Sequence, residues 1–419
     1  MAGGRRPAHS TDGVCSDDRL RQVWGRWALR HGTVGGVVGF ARFTVTADDT
    51  TGALETAAAC ADLGLRATVS GAGAGVASGA VGSTDGSTDG VRADVTVIDL
   101  RSRHLEPLHA RARLAAFVRR RAALDVHKID STLRGNWAAE VGALVDAGRR
   151  VVMVPAFPAA GRTCVGGVVR VDGEPVHLGA FGHDPRSPVT TSRPADSLAG
   201  AVEAADAGAT AAALDAGATI VVADAADDRA LEAHVRAVHD RDDRDEVVLV
   251  GPAAVATALA RRRLGASALT TRGASHIVTR SSPSAVPPGR VLVVSASRHP
   301  SALEQLVRVR GRGIPVVQPP PEARPADADA VLAALADEAR RQLAADDGIG
   351  TLVVVGGDTA AAVLGDTTID VVGTVGVGVA AGVVHLMGRR LRLITKPGGF
   401  GSADTLVDVL DALDDRWPT

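Results

Sequence analysis

The chain has 419 residues, enough for two domains with separate cores, and its net charge of −2 and pI near 6.6 give no basic footprint for nucleic acid or anionic membrane. Aromatic residues make up only 2% and tyrosine is absent, so the stacking platforms that hold single strands are missing and cores must be built from Val, Leu, Ile and Ala. Three scattered cysteines (Cys15, Cys60, Cys164) form neither a metal-ligand spacing nor a disulfide framework, no apolar run approaches a membrane span, and Arg5-Arg6 is not followed by an apolar h-region, so a reducing, cytoplasmic setting is expected.

Residues 1–40 show no periodicity and read as a disordered extension. A first domain is expected over 41–265. It opens with a strand at 43–47 that meets Asp48-Asp49-Thr50-Thr51-Gly52, then a helix over 53–63 stopped by Gly64. Paired carboxylates at a strand end can bind polyol hydroxyls, hold a metal or act as a base; they can equally cap the helix and favour its positive end. A strand over 66–70 leads into a low-complexity stretch at 71–90, whose repeated Gly-Ser-Thr-Asp reads as a surface loop. The strand at 94–99 opens onto Arg101-Ser102-Arg103-His104, where arginine can hold an anionic substrate bidentately or make a surface ion pair.

A helix over 106–121 and an apolar run at 122–126, read as a buried strand, deliver the chain to His127-Lys128-Ile129-Asp130-Ser131-Thr132-Leu133-Arg134-Gly135-Asn136. An amphipathic helix is expected at 137–145. Strand-to-helix turns of this kind lie at the carboxyl ends of strands, where open α/β sheets bind ligands. Lys128 and Arg134 suit an anion, Asp130 suits a proton or a sugar hydroxyl, and Ser131 and Thr132 can touch a ligand or cap the helix. The alternative is a capped helix with solvated charges. Past a strand at 151–154, Pro155 and Pro158 fix a rigid loop from which Arg162 could reach a ligand, and 168–178 forms a hairpin around Asp172-Gly173. Alternating strands (219–223, 247–250) and helices (227–239, 253–263) argue for a parallel α/β sheet.

A Ser/Thr/Gly/Pro-rich linker is expected at 266–289 and a second α/β domain at 290–419. Its strand at 291–294 ends at Ser295-Ala296-Ser297. A helix from Pro300, a strand at 315–317 and a helix over 328–343 follow. The strand at 351–355 ends at Gly356-Gly357-Asp358-Thr359 before a helix beginning near Ala360, and the strand at 391–395 ends at Lys396-Pro397-Gly398-Gly399-Phe400-Gly401 before the last helix. Glycine turns ahead of helices let backbone N–H groups approach a phosphate. Neither is a P-loop, and Gly376-Val377-Gly378 alone does not mark a dinucleotide fold.

Taken in order, several of these stretches resemble the four-carbon acid sugar kinase family, which includes kinases for threonate, erythronate and 3-oxo-tetronate. They are Ala47-Asp48-Asp49-Thr50-Thr51-Gly52-Ala53, Lys128 to Asn136, Pro155-Ala156-Phe157-Pro158 with Gly161-Arg162, Gly356-Gly357-Asp358-Thr359, and Lys396 to Gly401. The resemblance spans residues 43–412. It implies two α/β domains with largely parallel sheets, a sugar-acid domain followed by an ATP domain, and an active site in the cleft between them. On that basis Asp130, Asp49 and Lys128 are the catalytic candidates. Asp48, Arg103, Ser131, Thr132, Arg134 and Arg162 would bind the sugar acid. Ser295, Ser297, Gly356, Gly357, Asp358, Thr359, Gly398 and Gly399 would bind ATP, with Mg²⁺ bridging phosphates and Asp358 reached through water. The chain departs from the family pattern at Glu55, often Asp; at Ala296, within a usual Ser-Gly-Ser; and around Val377-Gly378-Val379-Ala380, where Pro-Gly-X-Pro is usual. The expected activity is ATP-dependent phosphorylation of a small sugar acid, and a homodimer is left open. A sugar-acid sensor and a nicotinamide-dependent dehydrogenase are the alternatives, the latter opposed by the missing Rossmann fingerprint.

Overall fold

The computed structural model describes residues 42–72, 93–120, 123–184, 186–271, 286–320, 323, 327–376 and 378–413. The extension at 1–40, nearly all of the low-complexity stretch and the centre of the expected linker lie outside the described residues. The N-terminal half contains β1 (Phe43–Ala47), α1 (Thr50–Ala61), β2 (Ala67–Gly71), β3 (Val95–Asp99), α2 (Pro107–Arg120), β4 (Val126–Lys128), α3 (Trp137–Asp146) and β5 (Arg150–Met153). It continues with β6 (Arg162–Val165), β7 (Val168–Val171), β8 (Glu174–Pro175), β9 (Val202–Ala204), α4 (Ala207–Asp215), β10 (Ile220–Ala223), α5 (Asp228–His239), β11 (Val247–Gly251) and α6 (Ala253–Thr271). The C-terminal half has β12 (Arg290–Ser295), α7 (Pro300–Gly311), β13 (Val316–Val317), α8 (Ala328–Ala345), β14 (Ile349–Val355) and α9 (Gly357–Leu364). It closes with β15 (Ile369–Gly376), β16 (Val379–Leu386), β17 (Arg389–Lys396) and α10 (Thr405–Asp411).

Val, Ile and Ala fill both faces of the central strands, and helices cover those faces, the arrangement a parallel sheet requires. The N-terminal half runs β2-β3-β1-β4-β11-β5-β10-β9, all parallel, and the C-terminal half carries a parallel block β13-β12-β14-β17. The antiparallel pair β15 and β16 bridges them: β17 pairs β16, β16 pairs β15, and β15 pairs β2 at Ile369↔Val69, Asp370↔Thr68 and Val371↔Ala67. The two expected sheets are therefore one 14-stranded sheet. A separate three-stranded sheet, β6-β7-β8, holds the hairpin.

Local chemistry explains most boundaries. Asp49 is extended and its carboxylate accepts from Gly52 N at 3.1 Å, so α1 begins at Thr50, earlier than expected. Asp206 and Asp227 cap α4 and α5 in the same way. Three sequence expectations shift. The strand expected at 122–126 is realised as β4, so His127 and Lys128 sit on the strand itself, paired to both β1 and β11. The helix expected near Ala360 begins at Gly357, because Gly356 (φ 104°) makes the turn and frees the next residues to enter the helix. The rigid loop at 155–161 holds a 3₁₀ turn, and Arg162 starts a strand instead of ending a loop. β15 and β16 were not anticipated.

Candidate active site

Three strand ends converge. β1 ends at Asp48-Asp49, β3 leads through Leu100 to Arg101-Ser102-Arg103, and β4 ends at Lys128 ahead of Asp130. β1 lies between β3 and β4, so the register alone brings these loops together. Arg103 takes Asp48 bidentately, Nε to Oδ2 at 2.8 Å and Nη2 to Oδ1 at 2.9 Å, and donates to Asp49 Oδ1 at 2.7 Å. Lys128 Nζ reaches Asp49 Oδ1 at 3.2 Å and Asp48 Oδ1 at 3.6 Å. Arg134 grips Asp130 bidentately at 2.8 and 3.0 Å, and Arg103 Nη2 lies 3.6 Å from the same carboxylate. Three carboxylates (Asp48, Asp49, Asp130) thus alternate with three cations (Arg103, Lys128, Arg134) in a charge-balanced cluster.

The local backbone is shaped for this contact. A Cβ on Gly52 would overlap Lys128 Nζ, so a glycine in the first turn of α1 is what lets the lysine lie against the helix. Gly135 has φ 87°, and a Cβ there would stand 2.9 Å from Arg103 Cγ. Burial opposes ionisation of Asp49, but Arg103 and Lys128 hold its pKa well below the usual carboxylate range. Burial likewise opposes ionisation of Asp130, and Arg134 and Arg103 overcome it, holding Asp130 far down. Burial works against the charge of Lys128 and Arg103 too, yet the facing carboxylates keep both pKa values raised. Glu55, one turn along α1, behaves oppositely: burial pushes it up, Lys128 only partly offsets this, and Asp49 and Asp130 push the same way as burial.

The C-terminal half meets this cluster directly. A Cβ on Gly357 would stand 3.0 Å from Asp49 Oδ2 and 3.2 Å from Thr51 Oγ1. A cleft of about 550 Å³ is lined by Asp48, Asp49, Arg103 and Arg186 on one side and by Gly357 and Asp358 of α9 and Arg340 of α8 on the other. On the C-terminal side of the cleft, Thr359 Oγ1 accepts from Ala296 N at 3.0 Å, Ser295 Oγ accepts from Ser297 N at 3.2 Å, and Gly398 packs against Ser297. The Ser295-Ala296-Ser297 turn, the Gly356-Gly357 turn and the Gly398-Gly399 turn therefore lie side by side at the carboxyl ends of β12, β14 and β17.

The sequence candidates divide accordingly. Asp48, Asp49, Arg103, Lys128, Asp130 and Arg134 come together, and Thr132 supports Asp130 through its N–H at 3.1 Å and its hydroxyl. Ser131 is half-buried in the same turn. Arg162 does not join the cluster: its guanidinium turns back onto the Ala160 carbonyl, because the chain enters β6 there. Asp358 is held by Arg186 and lies 3.6 Å from His104 Nε2, whose pKa burial lowers, so its first partners are a guanidinium and an imidazole of the other half.

Sequence reasoning grouped His104 with the basic stretch after β3 without a role of its own, and passed over Arg186 and a buried chain behind the cluster. Thr46 Oγ1 bonds His127 Nδ1 at 2.9 Å, His127 Nε2 bonds Glu140 Oε2 at 3.2 Å, and Glu140 also accepts from Ser102 Oγ. Glu140 and His127 are fully buried, and they tie the residue before Lys128 to the residue before Arg103. The signal was present: Glu140 stands with Trp137, Val141 and Leu144 on the apolar stripe of α3, where a carboxylate needs a partner. Nothing in sequence marks Arg186.

A model of a sugar-binding N-terminal domain matches residues 43–259. A D-threonate kinase of Bordetella bronchiseptica is 33% identical over 89% of this chain and 97% of its own. A D-erythronate kinase of Heliobacterium modesticaldum is 36% identical over 115 residues, 26% of each chain. Among solved structures, a Salmonella typhimurium protein covers 88% of this chain and 98% of its own at TM-score 0.65 and 20% identity, a likeness of fold.

Proposed function

Since the chain belongs to the four-carbon acid sugar kinase family, we propose that it transfers a phosphoryl group from ATP to a hydroxyl of a four-carbon sugar acid such as threonate or erythronate. One observation carries the reading: Gly357, in the turn offered to the phosphates, packs against Asp49 and Thr51 of the charge-balanced cluster, so acceptor and donor sites share one cleft. Residues 41–265 then serve as the sugar-acid domain and 290–419 as the nucleotide domain.

The cluster suits a polyol acid. Sugar hydroxyls donate to Asp48, Asp49 or Asp130 and accept from Arg103, Lys128 or Arg134, exchanging partners without leaving a buried charge alone. Phosphoryl transfer asks mainly for alignment and charge neutralisation, because little covalent help is needed from the protein. Asp49 and Asp130, held strongly acidic, orient the hydroxyl by accepting its hydrogen bond, while Lys128 and Arg103 face the charge that develops on the transferring group. Ser297, Gly356, Gly357, Thr359, Gly398 and Gly399 offer a hydroxyl-rich, glycine-rich edge that fits phosphate oxygens. Among the described residues no group of three or more His, Cys, Asp or Glu is arranged to hold a metal. A fit for Mg²⁺ therefore rests on the nucleotide supplying most ligands, as Mg²⁺ in such sites commonly requires, with Asp358, in the first turn of α9, as the carboxylate that would contribute from the nucleotide half.

A coupled ADP-release assay against a panel of four-carbon acids tests this reading. ADP should form with at least one tetronate and stay at background without it. Tetronate binding with no ADP formed would favour the sensor, and neither binding nor turnover would remove the reading.

A further inference from the structure

Lys396 is the last residue of β17 and the first of the Lys396-Pro397-Gly398-Gly399-Phe400-Gly401 turn. Its side chain is completely buried, and among the described residues it is the largest at that degree of burial. A buried ammonium normally has a carboxylate beside it. Lys396 has none: among the described residues its Nζ donates only to main-chain carbonyls, Pro397 O at 2.8 Å and Phe400 O at 2.6 Å. The same carbonyl of Phe400 accepts from Gln305 Nε2 of α7 at 3.0 Å, so the turn is closed from both sides. The charged and titratable side chains on the surrounding helices and their starts are Arg298, His299, Glu304, Arg308 and Arg310 at α7 and Asp404, Asp408 and Asp411 at α10. All are exposed, and none forms an ion pair with Lys396. The turn itself packs on Ser297 through Gly398 and on the His299 ring through Gly399.

A cation without a counter-ion, sealed under a glycine turn that packs on Ser297 and His299, is incomplete on its own. We propose that Lys396 is the buried counter-charge of this turn, completed electrostatically when a nucleotide phosphate settles over Gly398-Gly399; this rests on the ATP reading above. Lys396 acts from beneath, through the low-dielectric interior and the carbonyls it restrains, and is a positioning residue. Burial lowers its pKa to about 8, the direction expected of a lysine with no anion beside it. A phosphate overhead raises that value again, so binding above the free pKa draws a proton onto the protein.

Two measurements on the full chain test this. ADP with Mg²⁺ is titrated calorimetrically into wild type at pH 8.5 and pH 6.5, in buffers of different ionisation enthalpy. Proton uptake is expected at pH 8.5 and not at pH 6.5, where Lys396 is already protonated. Lys396→Met keeps the length and apolar stem and removes the charge. Its thermal midpoint without nucleotide should equal or exceed wild type, while ADP affinity falls at least tenfold, the cost of roughly one charge-assisted interaction, and the proton uptake disappears. A folded variant that binds ADP like wild type overturns the inference and leaves the ATP reading intact. Wild type that binds no ADP overturns both. Should the variant fail to fold, the absence of uptake by wild type at pH 8.5 overturns the inference, and its presence supports it.

Discussion

Asp130 carries two kinds of load, and its substitution should reveal both. It accepts from the N–H and hydroxyl of Thr132 and holds Arg134 and Arg103 by charge. Asp130→Asn keeps the shape and removes the charge that balances the largely buried guanidinium of Arg103 and the half-buried one of Arg134. Turnover should fall by roughly 10²-fold or more, and stability by about 3 kcal/mol, since breaking a buried pair strands its partner. A variant with near-wild-type turnover would make Asp130 a helix-start residue only. The pH dependence follows from the same geometry. Asp49 and Asp130 are depressed in the fold relative to an unfolded value near ~3.9. Their stabilisation is therefore complete above that value and lost as pH falls through the folded ones. Glu55 has the opposite sign, because its folded pKa is raised above an unfolded value near ~4.3. Its neutral form suits the fold below that value, and the advantage is lost as pH rises through the folded pKa. Glu55→Gln should thus gain stability over wild type at pH 8 and gain little at pH 4. Urea midpoints at the two values check this, and a larger gain at pH 4 would refute the assignment.

At the level of the element, the first turn of α1 is the most exacting piece of the site. Asp49 caps it, and Gly52 leaves the space that Lys128 Nζ fills. Gly52→Ala adds one methyl and improves helix propensity, so the helix itself should form normally. What must move is the far end of a flexible lysine, away from Asp49. The expected outcome is an intact fold, seen by circular dichroism, with kcat reduced roughly 10²-fold; unchanged kcat would place Lys128 outside the reacting centre. The turn was legible in sequence because its chemistry is local: a carboxylate, two threonines and a glycine between an apolar run and a helix. The motif ending at Arg134 was legible for the same reason, although its strand begins later than the apolar run suggested. Contacts that depend on distant chain were not. Asp358 looked free beside its glycines, yet it pairs with Arg186, separated by 172 residues. Arg162 looked available from a proline loop, yet its backbone enters β6 and turns it away. β15 could have been found, since Ile369, Val371, Gly373 and Val375 alternate with more exposed residues. Its partner β16 is buried along most of its length and offers no such period.

For the whole molecule, the continuous sheet decides how the halves relate. A polar linker between two α/β patterns suggests independent units, but β15 from the C-terminal half hydrogen-bonds to β2 of the N-terminal half. The joint is reinforced off the sheet. Asp62 at the end of α1 accepts from Thr374 N at 2.9 Å and from its hydroxyl at 2.7 Å, and Arg101 reaches Asp366 at 3.2 Å and the Gly365 carbonyl. α1 packs against β15, β16 and α9 as well as against its own strands. Separating the halves would expose the edge of β2 and an apolar helix face together, a combination that invites aggregation. The full chain should therefore unfold in one calorimetric transition, with van't Hoff and calorimetric enthalpies agreeing. A fragment ending at residue 265 should be insoluble or markedly less stable than the intact protein. Two resolved transitions, or a soluble, cooperatively folded fragment, would show that the β2–β15 seam is a docking contact. In that case the cleft could open widely to admit substrates. With a single transition, opening is confined to what α8, α9 and the Arg186–Asp358 pair allow, and breaking that pair by Arg186→Ala should raise the rate of ligand release more than it changes the unfolding midpoint.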